Sequence, residues 1–240
     1  MVKSRTAGRV AWSLWGITTV LLIAGLVSTY TRPQSEDFVS IAPYALAIIG
    51  LPTVGAVIAA RRPNNPIGWV FLAASLTMTL AVAGSEYATR VLVERVDRLP
   101  GAVWAGWLAS SLWPLGLILL AVVAPLLFPN GRPPSPRWRP ILWLAVTGIA
   151  VLVVALALLP GPLDDGFYPV DNPVGLEGAG DLLGMIIVAS GILLGFCLVA
   201  ALVSLFVRLR RARGEERQQL RWFVYAMGIA GLGMGTGSRG

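Results

Sequence analysis

Uncharged apolar stretches of about 20 residues, each closed by a short charged turn, constrain this chain more than any other feature of it. A bilayer's hydrocarbon core is roughly 30 Å thick, and about 20 helical residues cross it. Only 13% of the 240 residues are charged, against about 25% in an ordinary soluble domain. Those charges cluster between the apolar runs. The period-2 alternation of a membrane β-barrel is not seen. The expected fold is therefore all-α: a polytopic integral membrane helical bundle with six transmembrane helices plus a partial seventh.

The spans are expected at about 11–30, 41–60, 67–84, 102–128, 141–159 and 182–207, forming one membrane domain over 1–207. A basic segment follows at 208–222, then an apolar, Gly-rich tail at 223–240. The tail's apolar run starts at Phe223 and is too short to span; glycines 228, 231, 233, 235 and 237 weaken it as a helix. The first run follows Lys3, Arg5 and Arg9, as a secretory signal would. It exceeds the usual signal core of about 7–15 residues and lacks a clear small-x-small cleavage site, so it reads as a span.

Orientation follows from the turns. Arg61-Arg62-Pro63-Asn64-Asn65-Pro66 is a tight basic corner between the second and third spans, with Asn65 placed as an N-cap and Pro66 at the first helical position. Pro129 to Pro140 is a second corner. It holds Arg132, Arg137 and Arg139 and is stiffened by prolines towards polyproline II. The third carries Arg208, Arg210, Arg211, Arg213, Arg217 and Arg221. With the N-terminus inside, the inner segments hold fourteen basic residues against Glu215 and Glu216, whereas the outer ones hold Arg32, Arg90, Arg95 and Arg98 against ten acidic residues. An arginine at mid-membrane costs roughly 2.5–3.5 kcal/mol, so these clusters pin the corners. The expected location is the plasma membrane, multi-pass, N-terminus cytoplasmic. A net charge of +7 would point to nucleic acid in a soluble protein. Here the excess lies where the positive-inside rule wants it, so the partner is the lipid bilayer and no nucleic acid is expected.

Several local features are legible. Pro52, Pro114 and Pro125 lie inside spans and should bend them. At 85–100, Ala88, Val91, Leu92, Val96 and Leu99 fall at helical spacing and Arg90, Glu94 and Arg98 at i,i+4. This is an amphipathic helix, either continuing the third span or lying on the outer surface. Gly191 and Gly195 form a Gly-x-x-x-Gly pair suited to close helix contact.

Catalytic chemistry is scarce. The absence of histidine removes a histidine base, metal ligand and phosphoacceptor. The lone Cys197 builds neither a disulfide nor a zinc site. No phosphate-binding loop is present, no cofactor is expected, and the chain reads as a non-enzyme. The expected spans contain no Asp, Glu, Lys or Arg between their ends, which argues against a pump or an ion-coupled carrier. The longest outer loop, 160–181, has five carboxylates and no basic residue. Its Asp164, Asp165, Phe167, Tyr168 and Asp171 are the candidate ligand contacts. The cytoplasmic topology anchors are Arg61, Arg62, Arg132, Arg137, Arg139, Arg208, Arg210, Arg211 and Arg213.

Three stretches carry a resemblance. Arg61-Arg62-Pro63-Asn64-Asn65-Pro66-Ile67-Gly68-Trp69, Leu127-Phe128-Pro129-Asn130-Gly131-Arg132-Pro133-Pro134-Ser135-Pro136-Arg137-Trp138-Arg139-Pro140 and Arg210 to Trp222 are similar to the multi-span N-terminal region of actinobacterial sensor histidine kinases. Asn172-Pro173-Val174-Gly175-Leu176-Glu177 is similar as well. The resemblance implies a signal-sensing membrane region, a homodimer or a separate kinase or output protein as partner, and a phosphoacceptor helix and ATP-binding domain beyond it. Those kinase parts are not in this sequence, and a truncated, split or frameshifted product is one expectation. The alternative is a small permease for a neutral or lipidic solute, motivated by the proline-bent spans. A lipid-modifying enzyme is a poorer third, since it would need histidine or intramembrane acid.

Overall fold

The described apolar runs fold as helices, and the turns at 62–65 and 128–135 fall where proline and arginine end a run. The computed structural model describes residues 2–30, 38–95, 100–163 and 168–211, with Gly214 and Gln218. The helices are α1 (Val2–Tyr30), α2 (Phe38–Arg61), α3 (Pro66–Ala88), α4 (Ala102–Ile118), α5 (Ala124–Leu127), α6 (Arg139–Leu158) and α7 (Gly180–Arg211). No strand occurs among the described residues; one isolated bridge pairs Pro162 with Asp171.

Among the described residues, five helical stretches are long and apolar enough to cross a membrane: Thr6–Gly25, Pro66–Val93, Ala102–Leu127, Pro136–Leu158 and Gly180–Arg210. Ile49–Arg61, within α2, is a shorter apolar helix. The tail at 223–240, expected as a partial seventh run, lies outside the described residues.

Two expectations gain detail. The third run does not stop near 84. Helix α3 continues through a π-helical turn at Thr89–Val93, and Glu94 N–H donates to Thr89 O, five residues back. The amphipathic stretch is therefore a continuation of α3 as far as Val93. It ends at Arg95, whose φ of 56° lies in the left-handed region. The bend expected from Pro114 and Pro125 takes the form of a change of register. Neither proline has an N–H to give its ladder, and between them Leu119–Val123 forms a second π-helical turn, with Ala124 N–H donating to Leu119 O. Pro125 then falls in the first turn of α5, where a missing donor costs nothing. By contrast, α2 carries the buried Pro52 without a break.

The helices pack as two groups joined by α4 and α5. On one side α1, α2 and α3 touch pairwise; on the other α6 lies along α7; α4 packs on both α3 and α6. Small residues set the first group's spacing. Ala11, Ala56, Ala59 and Leu72 form a fully buried cluster. A Cβ on Gly68 would lie 2.6 Å from the Ala59 nitrogen, and one on Gly55 would lie 3.0 Å from the Gly68 carbonyl oxygen, so α2 and α3 meet backbone to backbone. The main core gathers Ile67 and Phe71 of α3, Val123, Ala124 and Leu127 around α5, Ile149 and Leu152 of α6, and Leu194 of α7.

The contacts run antiparallel from one helix to the next. Gly8 faces Ala60, Gly84 faces Ala105, and Cys197 faces Ile141. All three basic corners therefore come to one end of the bundle, the basic end. The 160–181 loop comes to the other, the acidic end. The arginines at the start of α6 oppose the helix dipole, which costs about 0.3–1 kcal/mol at an exposed terminus. Placing them in hydrocarbon costs roughly 2.5–3.5 kcal/mol, so the corner wins over the dipole.

Candidate functional site

At the basic end three corners distant in sequence build one joint. Asn65 caps α3 as its position predicts: its Oδ1 accepts from Ile67 N–H at 3.1 Å, with Pro66 in the first turn. Trp69 Nε1 donates to Pro63 O at 3.0 Å and closes the corner on itself. Asn65 also reaches the second corner, its Nδ2 donating to Pro129 O at 3.5 Å. Gly131 lies against it with φ of 72°, and a Cβ there would run into Asn65 Oδ1 and Pro66 Cδ. Glycine is required at 131 for its backbone and for its missing side chain.

The third corner enters through Arg208. Its Nη1 donates to Phe128 O, and its Nη2 donates to Leu126 O at 3.0 Å and to Arg132 O at 2.6 Å. The sequence explains why those carbonyls need an outside donor. Helix α5 ends at Leu127; the turn after it gives Leu127 O a donor in Gly131 N–H, whereas Leu126 O accepts from Arg208. The chain beyond holds Pro129, Pro133, Pro134 and Pro136, none of which has an N–H. A guanidinium, with five donors in a planar fork, fills that deficit.

Sequence reasoning grouped Arg208 with the other anchors and missed this role. A signal was there. On α7, Leu183, Ile187, Ser190, Leu194, Cys197, Ala201 and Ser204 repeat at spacings of three and four and face inward. Arg208 is the next position of that series and is half-buried. The remaining anchors differ. Arg61, Arg62, Arg132, Arg137, Arg139 and Arg210 are exposed, and Arg210 stacks on the Phe206 ring at 4.2 Å. Arg211 ends α7; Arg213 lies outside the described residues.

At the acidic end the described parts of the 160–181 loop, 160–163 and 168–181, form a strap over α3, α4 and α6. Leu163 N–H donates to Val170 O and Asn172 N–H to Gly161 O. Asn172 holds the end of α6, its Nδ2 donating to Ala157 O at 3.0 Å and to Leu159 O at 2.8 Å, while its Oδ1 accepts from Val174 N–H. Trp107 Nε1 reaches the same Ala157 carbonyl at 2.9 Å. Tyr168 is 2% exposed and packs with Ala88 and Leu163. Its hydroxyl lies 3.0 Å from Ser85 Oγ.

The candidate ligand contacts are thus distributed unevenly. Tyr168 is a buried tie between the strap and α3, Asp171 is exposed, and Asp164, Asp165 and Phe167 lie outside the described residues. Among the described residues, no group of three His, Cys, Asp or Glu side chains comes together to hold a metal. The described contacts of the joint and of the strap position backbone. Compared with family models, with curated proteins and with solved structures, the chain matches none.

Proposed function

We propose that this chain is the sensing membrane module of a two-component sensor kinase, with six spans and its N-terminus inside the cell. In this reading α2 supplies the sixth span, the basic end faces the cytoplasm and the acidic strap faces outward. The observation that carries the proposal is α7. It is an unbroken helix from Gly180 to Arg211 that begins where the strap ends and is held near its other end by the joint. A single rod running from an outer loop to the joint is what a signal needs to reach whatever follows residue 211. Two of the corner sequences that resemble the sensor-kinase membrane region, 61–69 and 127–140, meet in the joint, and Arg208 lies two residues before the third.

The rival reading is a permease for a neutral solute. Its best support is the break between α4 and α5, since interrupted helices often line a solute path. Here Val122, Val123, Ala124, Leu126 and Leu127 around that break are buried in side-chain packing, which favours a mechanical role for it.

Two measurements test the proposal. Single cysteines at Arg62 and Asp171, probed with an impermeant maleimide on intact cells, should label only at 171. Cysteine crosslinking between Arg210 and Asn130 in native membranes should then change when the envelope is stressed. A pattern indifferent to every envelope stimulus, with solute flux above empty liposomes after reconstitution, would transfer the case to the permease.

A further inference from the structure

We propose that Arg208 is a positioning residue, a latch that fixes the axial and rotational register of α7 against the end of α5; the inference rests on the sensor-module reading above and names the contact a signal must release. The inward face of α7 is built mostly from small side chains. Ser190, Cys197, Ala201 and Ser204 alternate there with Leu194 and Leu205, all buried. Small residues let helices approach closely, but they interlock less than large ones and leave a helix freer to slide or turn. Register must then be set near the ends. At the basic end one guanidinium takes three carbonyls from three residues, Leu126, Phe128 and Arg132, spread along a turn whose prolines supply no donor of their own. Such a planar fork fits one rotation of α7 and no other. Arg210 does not share the task, because it is exposed and stacked on Phe206 of its own helix.

The latch couples three corners in series. Arg208 grips the Phe128–Arg132 turn, Pro129 and Gly131 of that turn lie against Asn65, and Asn65 caps α3. Moving α7 by a fraction of a helical turn would take the guanidinium off its carbonyls and free the second corner from the third, with the first corner left in place. The last described residues, Gly214 and Gln218, lie six and ten residues beyond the latch in sequence.

The test uses the full chain in liposomes, with Cys197→Ala and spin labels on cysteines at the exposed positions Asn130 and Gln218. The parent should give one narrow distance distribution. Arg208→Gln should widen it and shift its centre. Arg208→Lys should widen it less, because an ammonium reaches fewer carbonyls at once. Arg132→Gln, which removes a charge but keeps the carbonyl, should leave it as in the parent. An unchanged distribution in Arg208→Gln overturns the proposal, as does equal widening in Arg132→Gln, which would make the effect one of charge. If Arg208→Gln does not reach the membrane folded, Arg208→Lys decides: widening supports the latch and an unchanged distribution overturns it. These distances need no stimulus. A failed latch therefore leaves the sensor reading standing, while an intact latch on an α7 that never answers envelope stress sinks only that reading.

Discussion

The two ends of the bundle solve the same problem with different chemistry. Each must satisfy backbone carbonyls where a helix stops, and each does so with a side chain far away in sequence. At the acidic end the donors are neutral: Asn172 and Trp107 on Ala157 O, with the Tyr168–Ser85 pair beside them. At the basic end the principal donor is a cation on the helix that leaves the membrane domain. Neutral ties buried under a strap make a fixed cover. A charged fork on an emerging helix makes a joint whose release is compensated by hydration of the freed guanidinium. The asymmetry favours an outer end that holds its shape while the inner end changes partners.

The largest expected effect attacks the cover. Tyr168→Ala removes a ring that is 2% exposed, along with its contacts to Ala88 and Leu163. Large-to-small truncation of a buried aromatic costs about 3–5 kcal/mol. Thermal unfolding in detergent should show a clear loss. Proteolysis within 160–181 should accelerate far more than cleavage beyond Arg208. Equal acceleration at both ends would mean that the two regions are one cooperative unit and would end the comparison. Tyr168→Phe keeps the ring and loses only the hydroxyl's partner, at about 1 kcal/mol.

Next comes Asn172→Ala. It strips two donated bonds from the end of α6 and one accepted bond from the turn. Leaving such groups unpaired costs about 1–3 kcal/mol each before relaxation, and the exposed rim lets water recover part of it. Hydrogen exchange at Val174 and Leu176 should rise, while exchange at Ile67 should not. A rise at both would again join the two ends.

Gly68→Ala tests the packing that supports the basic end. The new methyl would meet the Ala59 nitrogen at 2.6 Å and the Gly55 carbonyl oxygen at 2.8 Å, both backbone and unable to swing away. Overpacking of this kind costs typically about 1–3 kcal/mol. The melting temperature should fall, and the Trp69 indole environment should change in fluorescence, because Trp69 is held to Pro63 only one residue away. An unchanged spectrum would mean that α2 and α3 separate without disturbing the corner.

What the sequence made legible follows the same division. The corners of the basic end announce themselves, because proline, asparagine, glycine and arginine each carry a local conformational rule. Asn65 and Pro66 behave as those rules require. Helix extents were legible to within a few residues where a proline-glycine or proline-asparagine turn bounded a run, as at Ala102 and Leu127. At 84–93 the helical spacing was legible, but whether it continued α3 or lay on the surface was not; it continues α3. The π-helical turns were illegible as such, although Pro114 and Pro125 marked where one would be needed. The strap was the least legible part. Its carboxylates drew attention as surface chemistry, whereas its order comes from Asn172, Tyr168 and Trp107, whose partners lie on other helices. A local pattern cannot show which distant carbonyl a side chain will find. Arg208 falls between these cases: its cluster was obvious, and its place in the inward series of α7 was visible only by carrying the three-and-four spacing past the last apolar residue.

The smallest expected effect sharpens the comparison most. Arg210→Gln removes a cation two residues from Arg208, on the same helix, at the same end. Its only described tie is the stack on Phe206. Exposed stacking of this kind contributes about 0.5–1 kcal/mol at most, and a surface substitution away from special features stays within about 0.5 kcal/mol. Thermal stability should therefore be near that of the parent, and the Asn130–Gln218 distance should not move. Both cations count equally towards the positive character of this end, so a membrane that merely reads net charge would treat their loss alike. A joint built on geometry would not: only the side chain aimed at Leu126, Phe128 and Arg132 should matter. If Arg210→Gln loosened the second corner as much as Arg208→Gln, the two ends of the bundle would differ in charge alone, and the contrast between a fixed cover and a releasable joint would have no basis.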